Sequence, residues 1–244
     1  MFKHETQVIK FLLQWYSVNA RNLPWRKKNT LNLPDPYFVF VSEYMLQQTT
    51  VNTVKNKFNE FILKWPSLNK LAQTSEPNIL KFWSGLGYYS RARNLLKSAK
   101  IIHKNFKNNI PKTYDELIQL PGIGDYTAKA ILGIGYNKSV MPLDANIERI
   151  LVRLYAIDKP INKVKNKLKD LGKKFISDKN SSNLIQSFLD YGSEICLPRN
   201  PKCNICGINK FCQSYKKNLQ QKIPLIIKKK TTKPIKYLSL IHIS

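Results

Sequence analysis

Apolar residues recur at three- and four-residue spacing along nearly the whole of this chain. The segments VNTVKNKFNEFILKW, EPNILKFWSGLG, RARNLLKSAKIIHKNF and YTAKAILGIGY each gather them on one face of a helix. Strand-like alternation is scarce, and no segment repeats at a fixed period. Pro34, Pro36, Pro66, Pro77, Pro111, Pro121–Gly122 and Pro142 punctuate the helical runs. The pattern predicts an all-α protein. Two helix starts are legible. Thr113 and Glu116 stand at capping-box spacing ahead of Leu117, Ile118 and Leu120. Asp144 precedes the stripe Ile147, Ile150, Leu151 and Leu154, as an N-cap does.

The N-terminal MFKHETQVIKFLLQWY contains Glu5, Gln7 and Gln14. It reads as an amphipathic helix with Val8, Phe11, Leu12 and Trp15 on one side, and not as a signal peptide. No apolar run approaches the ~18 residues of a membrane span. A soluble, cytoplasmic monomer with no membrane partner is expected. At 244 residues with 43% hydrophobic, the chain can build one large domain or two modest ones. Lys plus Arg number 41 against 15 Asp plus Glu, a net charge of +26. That excess favours a polyanionic partner, most often nucleic acid, over a merely solvated lysine-rich surface.

All four cysteines lie in CLPRNPKCNICGINKFC, as Cys196, Cys203, Cys206 and Cys212. Disulfide scaffolds spread their cysteines along a chain, so this cluster points to metal. Four thiolates suit a [4Fe–4S] cluster or zinc, and only one C-x2-C knuckle is present, which favours iron–sulfur. Arg199, Lys202 and Lys210 crowd the loop and suit phosphate binding. After Cys212 the chain turns basic and proline-interrupted, and residues 216–244 read as a linker or tail.

Two further stretches carry chemistry. In VFVSEYMLQQTT, Glu43 is a lone carboxylate with Val39, Phe40, Val41, Tyr44, Met45 and Leu46 around it. Burial there raises a carboxyl pKa and keeps its proton on; a glutamate on the solvated side of a buried helix is the alternative. LIQLPGIGDYTAKAIL reads helix, tight turn, helix, with Gly122 and Gly124 permitting the turn. The second helix starts near Asp125–Tyr126, so its free N–H groups face the turn and suit a phosphate.

SEYMLQQT (42–49), GLGYYSRARNL (85–95), LPGIGDYTA (120–128), LDANIERI (143–150) and the four-cysteine loop stand in the order and spacing of one family. Over residues 5–215 the chain resembles the helix-hairpin-helix base-excision DNA glycosylases, and within them the adenine DNA glycosylases. The resemblance implies a six-helix barrel lobe (30–140) and a discontinuous [4Fe–4S] lobe (1–29 and 141–215), with double-stranded DNA in the cleft between them. Its implied substrate is adenine opposite 8-oxoguanine or guanine, and its implied location the nucleoid.

By the same resemblance, Glu43 is the acid that protonates adenine N7, and Asp144, held as an anion by helix N–H groups, stabilises the oxocarbenium ion. Tyr126 replaces the lysine of glycosylases with lyase activity. Tyrosine cannot form a Schiff base, so a monofunctional enzyme is expected; Lys129, one turn on, is a solvated or phosphate-facing lysine. Gln48 and Tyr88 match residues that fill the duplex where the base has left. Tyr89 is expected to be buried. Gln47 sits where the family meets DNA. Trp25, Arg26, Leu46 and Gln186 match positions near the adenine pocket, although the loop KKNTLNLP after LPWR is long for the family. Asn146 matches an asparagine beside the aspartate. The family usually has LDGN where this chain has LDAN, and Ala145 tolerates positive φ poorly. Adenine glycosylases normally add a domain that reads 8-oxoguanine, which this chain would lack, whether truncated or weak in discrimination. An endonuclease III-like or T/G-mismatch glycosylase and a non-catalytic DNA-binding homologue are the other readings.

Overall fold

The computed structural model describes residues 3–225. Most of the tail expected over 216–244 therefore lies outside the described residues. Among the described residues twelve α-helices run in order: α1 (Lys3–Asn19), α2 (Pro36–Leu46), α3 (Val51–Lys64), α4 (Leu68–Ala72), α5 (Glu76–Phe82), α6 (Ser90–Asn105), α7 (Tyr114–Ile118), α8 (Asp125–Ala130), α9 (Ala145–Leu154), α10 (Lys165–Lys173), α11 (Ser181–Glu194) and α12 (Gln213–Lys216). Among the described residues there is no strand, only an isolated antiparallel bridge between Lys28 and Pro34.

Local chemistry sets the helix starts. Asp35, Thr50, Ser67, Thr113 and Asp144 each accept a backbone N–H from their own first turn. Thr113 also donates its hydroxyl to Glu116 at 2.6 Å, a side-chain variant of the expected box. In α1, Val8 and Leu12 are buried, while Phe11 and Trp15 meet Tyr191 edge-on.

Helix α2 is predominantly apolar and buried from Val39 to Met45, as a central helix is. It packs against α3, α6, α8 and the turn Pro24–Arg26. On the other side of the molecule α1 packs on α11, α11 on α9, and α9 on α10 and α12. The helical pattern of YTAKAILGIGY breaks after Ala130 into a π-helical turn, Ile131–Gly135. Two glycines explain how that turn packs so closely. A Cβ on Gly133 would lie 2.2 Å from Ile185 Cδ1, and one on Gly135 3.1 Å from Pro36 Cα. The turn thereby bridges α2 and α11, the elements that flank the site.

Candidate active site

Glu43 sits three residues before the end of α2 and is 7% exposed. The solvated-face alternative is therefore excluded. Asp144 caps α9: it accepts Ile147 N–H at 2.7 Å and Asn146 Nδ2 at 2.8 Å. Both carboxylates line one cavity of about 460 Å³. Trp25, Arg26, Leu46, Gln47, Gln48, Tyr126, Asn146 and Gln186 complete the set that the sequence singled out there. A larger groove of about 910 Å³ shares Arg21, Leu23, Arg26 and Gln186 with it. Neither carboxylate lines that groove; both lie in the smaller cavity.

The two acids differ in their surroundings. Burial pushes Glu43 up to about 8, and the neighbouring charge of Asp144 adds to the effect. Among the described residues Glu43 has no hydrogen-bond donor to hold it as an anion. Burial raises Asp144 as well, against the expectation from its helix cap alone. The Ile147 N–H, the Asn146 amide and the charge of Arg149 offset only part of that rise. Tyr126 lies in the same fields; burial, then the charges of Glu43 and Asp144, keeps its phenol neutral well above its ordinary range. A neutral acid, a hydrogen-bonded carboxylate and a phenol in place of an amine therefore share one cavity.

The side walls carry further polar groups. Gln186 is buried and donates Nε2 to Ser182 O at 3.1 Å, while its buried Oε1 has no partner. Trp25 is buried edge-on to Phe58. The loop after it closes on itself through Asn29, whose Oδ1 accepts the N–H groups of Leu31 and Leu33, so its length displaces neither Trp25 nor Arg26. Arg26 spends its charge inside the protein, forking onto Asp190 at 2.7 and 2.8 Å. Arg21 joins the same carboxylate at 2.6 Å. Burial alone would raise Asp190; the two arginines hold it below the usual carboxylate range instead.

The hairpin's turn glycines, Gly122 and Gly124, and the aromatic pair, Tyr88 and Tyr89, lie outside the cavity lining. Gln47 Nε2 donates to Gly122 O at 3.1 Å and so joins α2 to the hairpin turn. Gly122 needs glycine: its φ is +80°, and a Cβ there would meet Asn94 at 2.9 Å. Gly124, by contrast, has an extended φ of −102° with open space around it, so the turn does not require it. Tyr88 is 62% exposed with φ +46°. Tyr89 was expected to be buried and is 41% exposed, because α6 starts immediately after it and turns the ring outward. Ala145 begins α9 in helical conformation, which removes the strain expected of it. Lys129 pairs with Asp125 at 2.8 Å and lies over the Tyr114 ring, so it is neither free in solvent nor a nucleophile in the cavity.

With that geometry established, residues 41–174 match the family model described as "HhH-GPD superfamily base excision DNA repair protein". The chain belongs to the HhH-GPD superfamily. An "Adenine DNA glycosylase" of Buchnera aphidicola subsp. Schizaphis graminum is 42% identical over 224 residues, covering 91% of this chain and 63% of that relative. The Homo sapiens protein of the same description is 34% identical, covering 91% of this chain and 42% of its own length. The chain thus spans less than two thirds of these relatives. A thermostable thymine-DNA glycosylase superposes with a TM-score of 0.78 at 25% identity, covering 88% of this chain and 98% of that one. An endonuclease III–DNA complex superposes at 0.70 and 19% identity, covering 90% and 100%, which establishes the all-α HhH-GPD fold.

The four cysteines of this HhH-GPD chain line one small cavity between α9 and the C-terminal loop. Among the described residues, no group of three or more His, Cys, Asp or Glu is placed to hold a single metal ion. Polar groups nevertheless point at the sulfurs: Arg153 Nη1 donates to Cys196 Sγ at 3.3 Å and Tyr191 Oη to Cys206 Sγ at 3.2 Å.

Several site residues escaped the sequence reading. Arg149 is buried and donates Nη2 to Asn146 Oδ1 at 2.8 Å and to Gly192 O at 2.6 Å, and Nε to Cys196 O at 2.7 Å. Asn146 in turn holds Asp144, so a chain of hydrogen bonds runs from the carboxylate to the cysteine loop. The available signal was two arginines four apart inside the apolar stripe of IERILVRL. Asp190 carried the same signal as Glu43, an acid set in the apolar run of a buried helix.

Proposed function

We propose that the chain is a monofunctional DNA glycosylase that hydrolyses the N-glycosidic bond of adenine mispaired with 8-oxoguanine or guanine and leaves an abasic site. The observation that carries the reading is Glu43, held protonated up to about pH 8 in the same cavity as the Asp144 carboxylate and Tyr126. The description of its relatives as adenine DNA glycosylases supports the choice of base.

Double-stranded DNA lies in a cleft between a barrel lobe (30–140) and a second lobe (1–29 with 141–215), and the target adenine leaves the stack to enter the cavity. Glu43 gives its proton to N7. The C1′–N9 bond then breaks with its electron pair moving into the purine, and positive charge develops on the sugar. Asp144, fixed by Ile147 and Asn146, faces that charge. Water adds to C1′ and returns a proton to the Glu43 carboxylate. The unpartnered Oε1 of Gln186 accepts from the adenine amino group. Gln47 and Leu46 line the entrance, and Gln48 and Tyr88 fill the gap in the duplex. The N–H groups ahead of α8, with Gly122 and Gly124, hold a backbone phosphate. Tyr126 offers no amine, so no covalent imine forms and the strand is not nicked.

Cys196, Cys203, Cys206 and Cys212 would hold a [4Fe–4S] cluster. The four thiols line one small cavity, and the choice of iron–sulfur over zinc rests on the single C-x2-C knuckle and on the family resemblance. The donors from Arg153 and Tyr191 suit thiolate sulfurs. Such a cluster would contribute structurally, holding the loop to whose carbonyls Arg149 and Arg153 donate.

Superposition on a thymine-DNA glycosylase supports a second reading, a T/G-mismatch enzyme. Duplexes with A opposite 8-oxoguanine, A opposite G, T opposite G, or thymine glycol separate the two, each assayed with and without hot alkali. The proposal predicts cleavage of the adenine strand only, and only after alkali. Nicking without alkali would overturn monofunctional chemistry, release of thymine alone would establish the second reading, and binding without cleavage of any duplex would leave a non-catalytic homologue.

A further inference from the structure

We propose that Arg91 is a positioning residue that joins the loop bearing Tyr88 to the end of α2 as one rigid wedge. The inference deepens the base-flipping reading above and rests on it. Arg91 lies in the first turn of α6 and is 5% exposed. Its Nη1 donates to the carbonyls of Tyr44 at 3.2 Å, Met45 at 2.7 Å and Gln47. Its Nη2 donates to those of Leu86 at 2.8 Å and Gly87 at 3.0 Å. One planar group therefore reaches both segments, three carbonyls at the end of α2 and two in the loop Gly85–Tyr89. The guanidinium also lies over the rings of Trp83 and Tyr88, at 5.5 and 5.8 Å.

This burial is unusual in kind. No carboxylate pairs with Arg91 among the described residues, and its Nε is buried without a partner. The carbonyls that end α2 have no helical partner of their own and carry the negative end of the helix dipole, so a cation there satisfies both. Each of the two segments it joins also holds a non-glycine residue at positive φ: Gln48 stands at +57° and Tyr88 at +46°. Glu43 is one turn back along α2. Pressure on the exposed Tyr88 ring is thus transmitted to the helix that carries the acid, and wedge and acid keep a fixed spacing while the adenine leaves the stack. A lysine keeps the charge but offers three donors from a single point and cannot bridge the two planes of carbonyls.

The test compares wild type, Arg91→Lys and Arg91→Met on two duplexes under single-turnover conditions. One holds adenine opposite guanine. The other holds adenine opposite an abasic site, where no pairing resists flipping. Arg91→Lys is expected to lose about tenfold or more on the first and less than about threefold on the second. Fluorescence of 2-aminopurine opposite guanine reads unstacking separately, and it should fall in both variants while the melting temperature of Arg91→Lys stays near wild type. Equal losses on the two duplexes, or unchanged unstacking in both variants, would overturn the wedge. Wild type that unstacks the probe but excises nothing would overturn the adenine reading alone, and the comparison of unstacking would still decide Arg91.

Discussion

Replacing Glu43 with glutamine should make the protein more stable while it abolishes excision. The folded protein holds the Glu43 proton up to about pH 8, against an ordinary value of 4.5. The folded pKa lies above the unfolded one, so the native state binds the proton more tightly. Glu43 is without penalty below pH 4.5, and its stability contribution falls as pH rises from 4.5 to 8. At 1.36 kcal/mol per pH unit that window amounts to about 5 kcal/mol in full. Between pH 5 and pH 7 the fall is about 2.5 kcal/mol. Glutamine has the same shape and no charge to desolvate, so the variant avoids this loss. For a chain of this size ~2–4 °C accompanies each kcal/mol. The melting temperature of Glu43→Gln minus that of wild type should therefore grow by roughly 5–10 °C between pH 5 and pH 7. The assay is thermal unfolding of both proteins in matched buffers across that range. A difference that stays flat across that range would refute the buried, protonated Glu43 and mean that the native state holds it as an anion.

Three further outcomes follow from the same geometry. Asp144→Asn keeps an N-cap side chain for Ile147 but loses the negative charge, so melting should change little while single-turnover excision falls about 10²–10³-fold. Gly122→Ala forces a side chain into φ +80° against Asn94 and should lose about 1–3 kcal/mol in urea unfolding, whereas Gly124→Ala meets open space and should melt like wild type. Arg149→Met unties Asn146, Gly192 and Cys196 together; slower excision should accompany weaker retention under chelator of the visible absorbance that the proposed cluster would give, and loss of neither would contradict the hydrogen-bond chain.

Much of this was readable in the chain because the responsible forces are local. Helix periods, the cap at Asp144 and the apolar setting of Glu43 are properties of neighbours in sequence. They foretold an all-α fold and a start at residue 145, but by themselves left Glu43 open between a buried acid and a solvated face. The convergence of Trp25, Leu46, Gln48, Asn146 and Gln186 came from the family resemblance, since no spacing links segments so far apart. What stayed hidden was the work of buried arginines. Arg26, Arg91, Arg149 and Arg153 find their partners mainly in carbonyls or in Asp190, which no pattern of side chains announces. The glycines misled for a related reason: Gly122 is fixed by Asn94 across the fold and Gly124 by nothing nearby, although the two look alike in LPGIG. Ala145 raised concern because the family usually has glycine there, and the concern lapses because helix α9 begins at that residue in helical conformation.

The central claim is that Glu43 works as an acid on adenine. Its direct test is the pH dependence of single-turnover adenine excision from an A:G duplex, scored after alkali. A pKa of about 8 predicts no loss of rate from this group as pH rises toward 8, and then a fall of about tenfold per unit as Glu43 gives up its proton. In Glu43→Gln the rate should be lost at every pH. A wild-type rate that holds or rises beyond pH 9, or activity that survives in the glutamine variant, would contradict the account.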